Sequence, residues 1–112
     1  MTDDFDPDTW AGNKRVALEQ VSGPFCTMQF TVETNGRQGG DWGHGSRLKI
    51  TLESIASVAM QARVDGQQGD SGFIDKLEIL VGGDDELRVF SLALERLAHH
   101  LYNLTEVQEK QP

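Results

Sequence analysis

The side chains best suited to chemistry fall in one short stretch, Gly36 to Arg47, where five glycines surround Arg37, Asp41, Trp42, His44 and Arg47. Glycines allow positive φ and a close approach of backbone to ligand, and a run of bare N–H groups can cradle an anion. Trp42 offers a stacking face for a base or for an aromatic side chain. Arg37 and Arg47 suit a phosphate or a carboxylate. Asp41 and His44 suit general acid–base work. The order lacks the strand–GxxxxGK[ST]–helix setting of a P-loop and the strand–GxGxxG–helix setting of a dinucleotide fold. The competing account is a structured hairpin loop: glycines satisfy turns, Asp41 bonds local backbone, and Trp42 packs on the strands. One Trp, one His and two Arg exceed what a turn needs. Arg37, Asp41, Trp42, His44 and Arg47 are therefore the candidate binding residues.

Catalytic and metal chemistry find less support. A metal held by Asp41 and His44 needs further donors, and Asp84, Asp85, His99 and His100 are all distant in sequence. His99 and His100 are adjacent, so on a regular helix they point about 100° apart and cannot both face one ion. His99 is expected on the solvent side and His100 at the edge of the apolar stripe. Ser46 has only His44 nearby, with no third group to orient the pair. No catalytic residue, metal ligand set or cofactor is assigned.

The chain has 112 residues, which is one domain with a modest core. With 18 acidic and 10 basic residues the formal net charge is −8. Such a surface is repelled by nucleic acid and by anionic membranes and suits a basic partner, including one that itself grips DNA or RNA. The single cysteine, Cys26, cannot form an internal disulfide and reads as a small buried hydrophobe on a strand. No apolar run approaches the roughly 20 residues of a membrane span. The first residues, Met-Thr-Asp-Asp-Phe-Asp-Pro-Asp, are acidic where a signal peptide is basic and then apolar. A cytoplasmic setting is expected.

The elements that must position the loop follow from periodicity. Residues 1–12 carry four Asp, with Phe5 and Trp10 as the large apolar groups, and read as a flexible acidic arm. Lys14 to Val21 fits either a short edge strand or a helical turn, and the strand is favoured. Phe25 to Glu33 alternates cleanly, with Cys26, Met28, Phe30 and Val32 on one face. Arg47 to Glu53 repeats the pattern with Leu48, Ile50 and Leu52, so the glycine-rich loop is the tip of an antiparallel hairpin. Val58 to Val64 alternates again and is expected as a further strand, followed by a polar loop, Asp65 to Gly72. Phe73 to Val81 is the last strand, with Leu77, Ile79 and Val81 inward. Asp84 is expected to cap a helix in which Leu87, Phe90, Leu94, Leu97, Leu101 and Leu104 form one stripe that must cover the sheet. Residues 106–112 are a polar tail. The expected architecture is α+β: a two-layer sandwich, residues 13–105, with an antiparallel sheet of four or five strands and one C-terminal helix packed on one face.

The run Thr34 to Arg47, with its GGDxGHG core at Gly39 to Gly45, resembles a hairpin loop of small phage and prophage proteins. Val81 to Leu87, followed by a leucine-rich helix, is similar to their C-terminal half, so the resemblance spans about residues 25–104. It implies an accessory factor acting on a bacterial host system, such as a counter-defence inhibitor of the anti-CRISPR kind. No residue role comes with it. The first expectation is thus a non-enzymatic binding protein in the cytoplasm of a bacterial host. Its partner would be a host protein or complex, with nucleic-acid-binding complexes included. There is no direct contact with nucleic acid or membrane, and a homodimer is an open alternative. The second expectation is a small-ligand binder or sponge for a nucleotide-like signal, using loop 36–47. The third is a metal-dependent hydrolase.

Overall fold

A computed structural model describes residues 14–36, 46–68 and 72–105. The elements are β1 (Arg15–Ser22), β2 (Thr27–Thr34), β3 (Arg47–Ala56), β4 (Arg63–Val64), β5 (Gln67–Gln68), β6 (Lys76–Gly82) and α1 (Asp84–Thr105). One antiparallel sheet has the order β1-β2-β3-β6, and β4 pairs only with β5. The helix packs against β6 and β3. The fold is therefore α+β, an antiparallel four-stranded sheet with one C-terminal helix against it.

Register explains which face is the core. Antiparallel partners share a face, so the pairs Val32–Ile50–Ile79, Phe30–Leu52–Leu77 and Thr34–Leu48–Val81 run across β2, β3 and β6 on the same side. Leu48 and Ile50, on the central strand, are the buried apolar side chains among the described residues. The other face is polar on β2 and β3, with Val16 and Leu18 of β1 and Leu80 of β6 at its two sides. Lys49 sits opposite Glu33, contacts Glu33 and Glu78 at 3.5 Å each, and Lys14 reaches Glu33 at 3.5 Å. Opposite charges alternate across three strands and pair with one another there, which leaves the face of Leu48 and Ile50 to build the core.

The edge strand expected near Lys14 to Val21 is present as β1. The strand expected over Val58 to Val64 is corrected. Val58 to Ala62 has no regular structure, and only Arg63–Val64 is a strand, within the separate two-stranded ribbon. Ser57 adopts φ 58°, and the Val58 N–H donates to Ser54 Oγ at 3.4 Å, which swings the chain out of the sheet. The edge of β3 that a returning strand needs is already filled by β6. Part of the expected polar loop is instead a tight hairpin. Asp65 (φ 53°) and Gly66 (φ 76°) form a two-residue turn with positive φ at both positions, the Asp-Gly signature of a type I′ hairpin. Cys26 lies just before β2 and is exposed, so it is not the buried hydrophobe expected of it.

The helix forms over the expected residues but covers less of the sheet than its stripe requires. None of its residues is buried, and from Leu94 to Thr105 every one is exposed. Its first half carries the packing, with Leu87 and Phe90 half-buried. An open cleft of about 370 Å³ lies along this seam, lined by Val81, Val89, Phe90 and Ala93 with Asp85 and Glu86.

Two substitutions separate the sheet from the ribbon. Ile50→Ala is expected to cost about 2–5 kcal/mol, the range for emptying a packed core site. Gly66→Ala meets no atom within 4 Å. Its cost is at most the roughly 1–2 kcal/mol of a left-handed alanine, because the ribbon pairs only with itself. Urea denaturation followed by circular dichroism measures both.

Candidate functional site

Of the five candidate binding residues, Arg37, Asp41, Trp42 and His44 lie outside the described residues, and Arg47 lies within them. What the structure places is the root of the loop: Thr34, Asn35 and Gly36 on one side, Ser46 and Arg47 on the other. The β2–β3 ladder ends at the pair Thr34–Leu48. Beyond it, side chains take over the pairing. The Asn35 Oδ1 accepts the Arg47 N–H at 2.7 Å, and the Thr34 hydroxyl donates to the Arg47 carbonyl at 2.6 Å. The Gly36 N–H donates to Thr34 Oγ1 at 3.0 Å, closing the turn into the loop.

The second half of the root ties the loop to the helix. The Gly83 N–H donates to the Ser46 carbonyl at 2.9 Å, and the Ser46 hydroxyl donates to the Asp84 carboxylate. Ser46 is 0% exposed and Asn35 2%, so these groups have left water and depend on one another for hydrogen bonds. The helix accordingly starts differently from expectation. The Gly83 carbonyl accepts the Leu87 N–H at 3.0 Å, which makes Gly83 the half-in residue and Asp84 the first helical one. Asp84 receives the serine instead of capping in the usual position. Its charge, with Asp85 and Glu86 in the same turn, still lies at the positive end of the helix dipole.

Arg47 is mostly buried, and its Nη1 donates to the Ser46 carbonyl at 3.1 Å. It braces the same carbonyl that holds Gly83, a positioning role that its spacing in sequence did not reveal. Arg15 of β1 packs on the opposite side of the root. A Cβ at Gly36 would lie 3.0 Å from Arg15 Nη1, and φ there is 80°, so any other residue is strained and must displace the Arg15 guanidinium.

The remaining candidates for chemistry are dispersed. Cys26 lies at the far end of β2 from the root, about 30 Å away at the rise of an extended strand. His99 and His100 lie about 22 Å along α1 from Asp84, and both are exposed. Among the described residues no three His, Cys, Asp or Glu side chains gather to hold a metal. An open recess of about 500 Å³ beside Glu95, Arg96, His99 and Tyr102 is walled, among the described residues, by α1 alone. No described helix is long and apolar enough to cross a membrane. No protein-family model, curated protein or solved structure matches this chain.

Sequence patterns gave Asn35 no role, and marked Ser46 and Asp84 for others: Ser46 beside His44, and Asp84 as a helix cap or metal donor. The signal available was positional: Asn35 and Ser46 bracket the glycine run where each strand ends. Their joint action is testable by a double-mutant cycle. Ser46→Ala and Asp84→Ala are each expected to lower stability by about 1–3 kcal/mol, the cost of stranding a buried partner. The double variant should lose less than the two combined, with a coupling of about 0.5–3 kcal/mol. Strictly additive losses in urea melts would show that the two side chains act independently.

Proposed function

We propose that this chain is a non-enzymatic binding protein that presents residues 37–45 to a partner protein with a basic surface. The observation that carries this is the root of the loop. A hairpin between β2 and β3 closes with as few as two residues, yet residues 35–47 separate Thr34 from Leu48. Both ends of that insertion are fixed by buried polar groups and tethered to the helix start. Burying polar side chains is costly unless each is satisfied. Spending Asn35, Ser46 and Asp84 on a loop root makes sense when the loop must leave the body in one direction. Among the side chains it carries, Trp42 is the natural anchor, because aromatic and arginine side chains dominate binding hot spots. The net charge of −8 favours a basic partner and speeds its encounter. In the setting that the resemblance to phage and prophage proteins implies, that partner is a host complex which ordinarily grips nucleic acid, and the chain acts by occupying it.

The test replaces Gly39 to Gly45 by an Asn-Gly turn. Thermal melting should show the fold intact, while retention of the host partner from lysate at low salt is lost. Trp42→Ala should weaken binding by about 1–3 kcal/mol, the range for a stacked aromatic contact. A shortened loop that still retains the partner fully would refute the assignment. Binding of a mono-, di- or cyclic nucleotide in calorimetry would favour a small-ligand sponge instead.

A further inference from the structure

We infer that the chain associates with a second copy of itself, through the C-terminal half of α1 and the open part of the apolar sheet face. Leu94, Leu97, Leu101 and Leu104 fall within an arc of about 80° on the helix, and all four are exposed. On the sheet, Val21 and Phe30 share the face of Leu48 and Ile50 through the pairs Val21–Met28 and Phe30–Leu52, and Ile79 shares it opposite Ile50. Val21, Phe30 and Ile79 are exposed as well. These seven side chains are between 37% and 82% exposed. At roughly 100 Å² each they offer on the order of 700 Å² per protomer, close to the about 800 Å² that each partner gives to a stable interface. Soluble monomers rarely leave an apolar surface of this size open to water.

The occupant follows from what each surface lacks. The helix packs on β6 and β3, and the four residues of β1 on this face, Arg15, Ala17, Glu19 and Val21, are exposed, with the two charged ones toward its rim. The second half of the helix, about 18 Å long, has a leucine stripe with no sheet beneath it. One copy therefore lacks a helix over half its sheet and a sheet under half its helix. A second copy related by a two-fold axis supplies both at once, because an isologous interface sets the same surface against itself. The chain's own first 13 residues are a poorer cover: Phe5 and Trp10 are the large apolar groups there, among Asp3, Asp4, Asp6 and Asp8. The same-sign charge of the two copies opposes pairing, so association strengthens as salt screens it. The inference needs nothing from loop 37–45 and stands apart from the proposed function.

Sedimentation velocity on the full chain, from about 1 to 100 µM, decides it. The expected mass is twice the 12.4 kDa of one chain. Leu97→Glu with Leu101→Glu should weaken association at least about 100-fold, giving monomer across the same range, with the far-ultraviolet spectrum of sheet and helix kept. Glu95→Gln lies about 140° round the helix from the stripe and should leave the dimer as it is. A monomeric wild-type chain overturns the inference, including the case in which its own N-terminal residues cover the stripe. A tetramer or larger assembly overturns it too, as does a folded double-glutamate variant that remains dimeric. Should that variant fail to fold, the wild-type mass still decides.

Discussion

The joint between Ser46 and the Gly83–Asp84 turn is the contact on which the rest of the arrangement depends. It extends the β3–β6 ladder one step beyond the pair Arg47–Gly82 and so joins the end of the long β2–β3 connection to the start of the helix. The Ser46 carbonyl receives both the Gly83 N–H and the Arg47 guanidinium, and the Ser46 hydroxyl meets Asp84. A serine with no exposed surface cannot exchange these partners for water, so the joint is kept whole or lost together. Because α1 rests on the sheet mainly through its first half, this joint also sets where the helix begins its path over β6 and β3. The root of the loop and the start of the helix thus share one small polar cluster.

The apolar side of the molecule shows the opposite economy. Only Leu48 and Ile50 are buried among the described apolar residues, and the helix buries none. A chain of this length has little surface to spare, since small domains bury a smaller share of what unfolding exposes. The charge ladder Lys14–Glu33–Lys49–Glu78 occupies the middle of the other face, and its exposed outer members, Lys14 and Glu78, add little stability. Further apolar burial is available where the face of Leu48 and Ile50 is left uncovered. The open leucine stripe and the uncovered β1–β2 half are the places where completion is still available.

Much of the fold was legible because period-two alternation is a strong signal where one face is buried. β2 and β3 read directly from it, and the stripe Leu87 to Leu104 announced the helix. Val58 to Val64 misled because alternation is silent on whether a sheet edge is free, and β6 had already taken that edge. The stripe misled in a different way: its spacing states that leucines are buried, not that they are buried by the same chain. Cys26 failed for a local reason, since it belongs to the turn that Gly23 closes by donating to its carbonyl. At the site, glycine content marked the loop but not its root. Asn35, Ser46 and Asp84 are ordinary polar residues whose meaning lies in a contact between positions 46 and 84, far apart in sequence. Arg47 was picked out for its charge, and the structure uses that charge inward.

Loop and interface bear on one another through geometry. A two-fold pair carries two copies of the 37–45 segment, each fixed to a helix start, and the helices are the elements that join the pair. In such a pair the separation of the two loop roots would be set by the sheets and helices. When both loops reach sites on one partner complex, the second contact becomes intramolecular, and avidity can exceed the single-site affinity by a factor on the order of 10²–10⁴. Modest contacts from Trp42 and Arg37 of each loop would then suffice for a stable complex. The doubled acidic charge acts in the same direction by steering a basic target toward the pair. On the two proposals taken together, a weak site on a symmetric carrier would be a physically sufficient design.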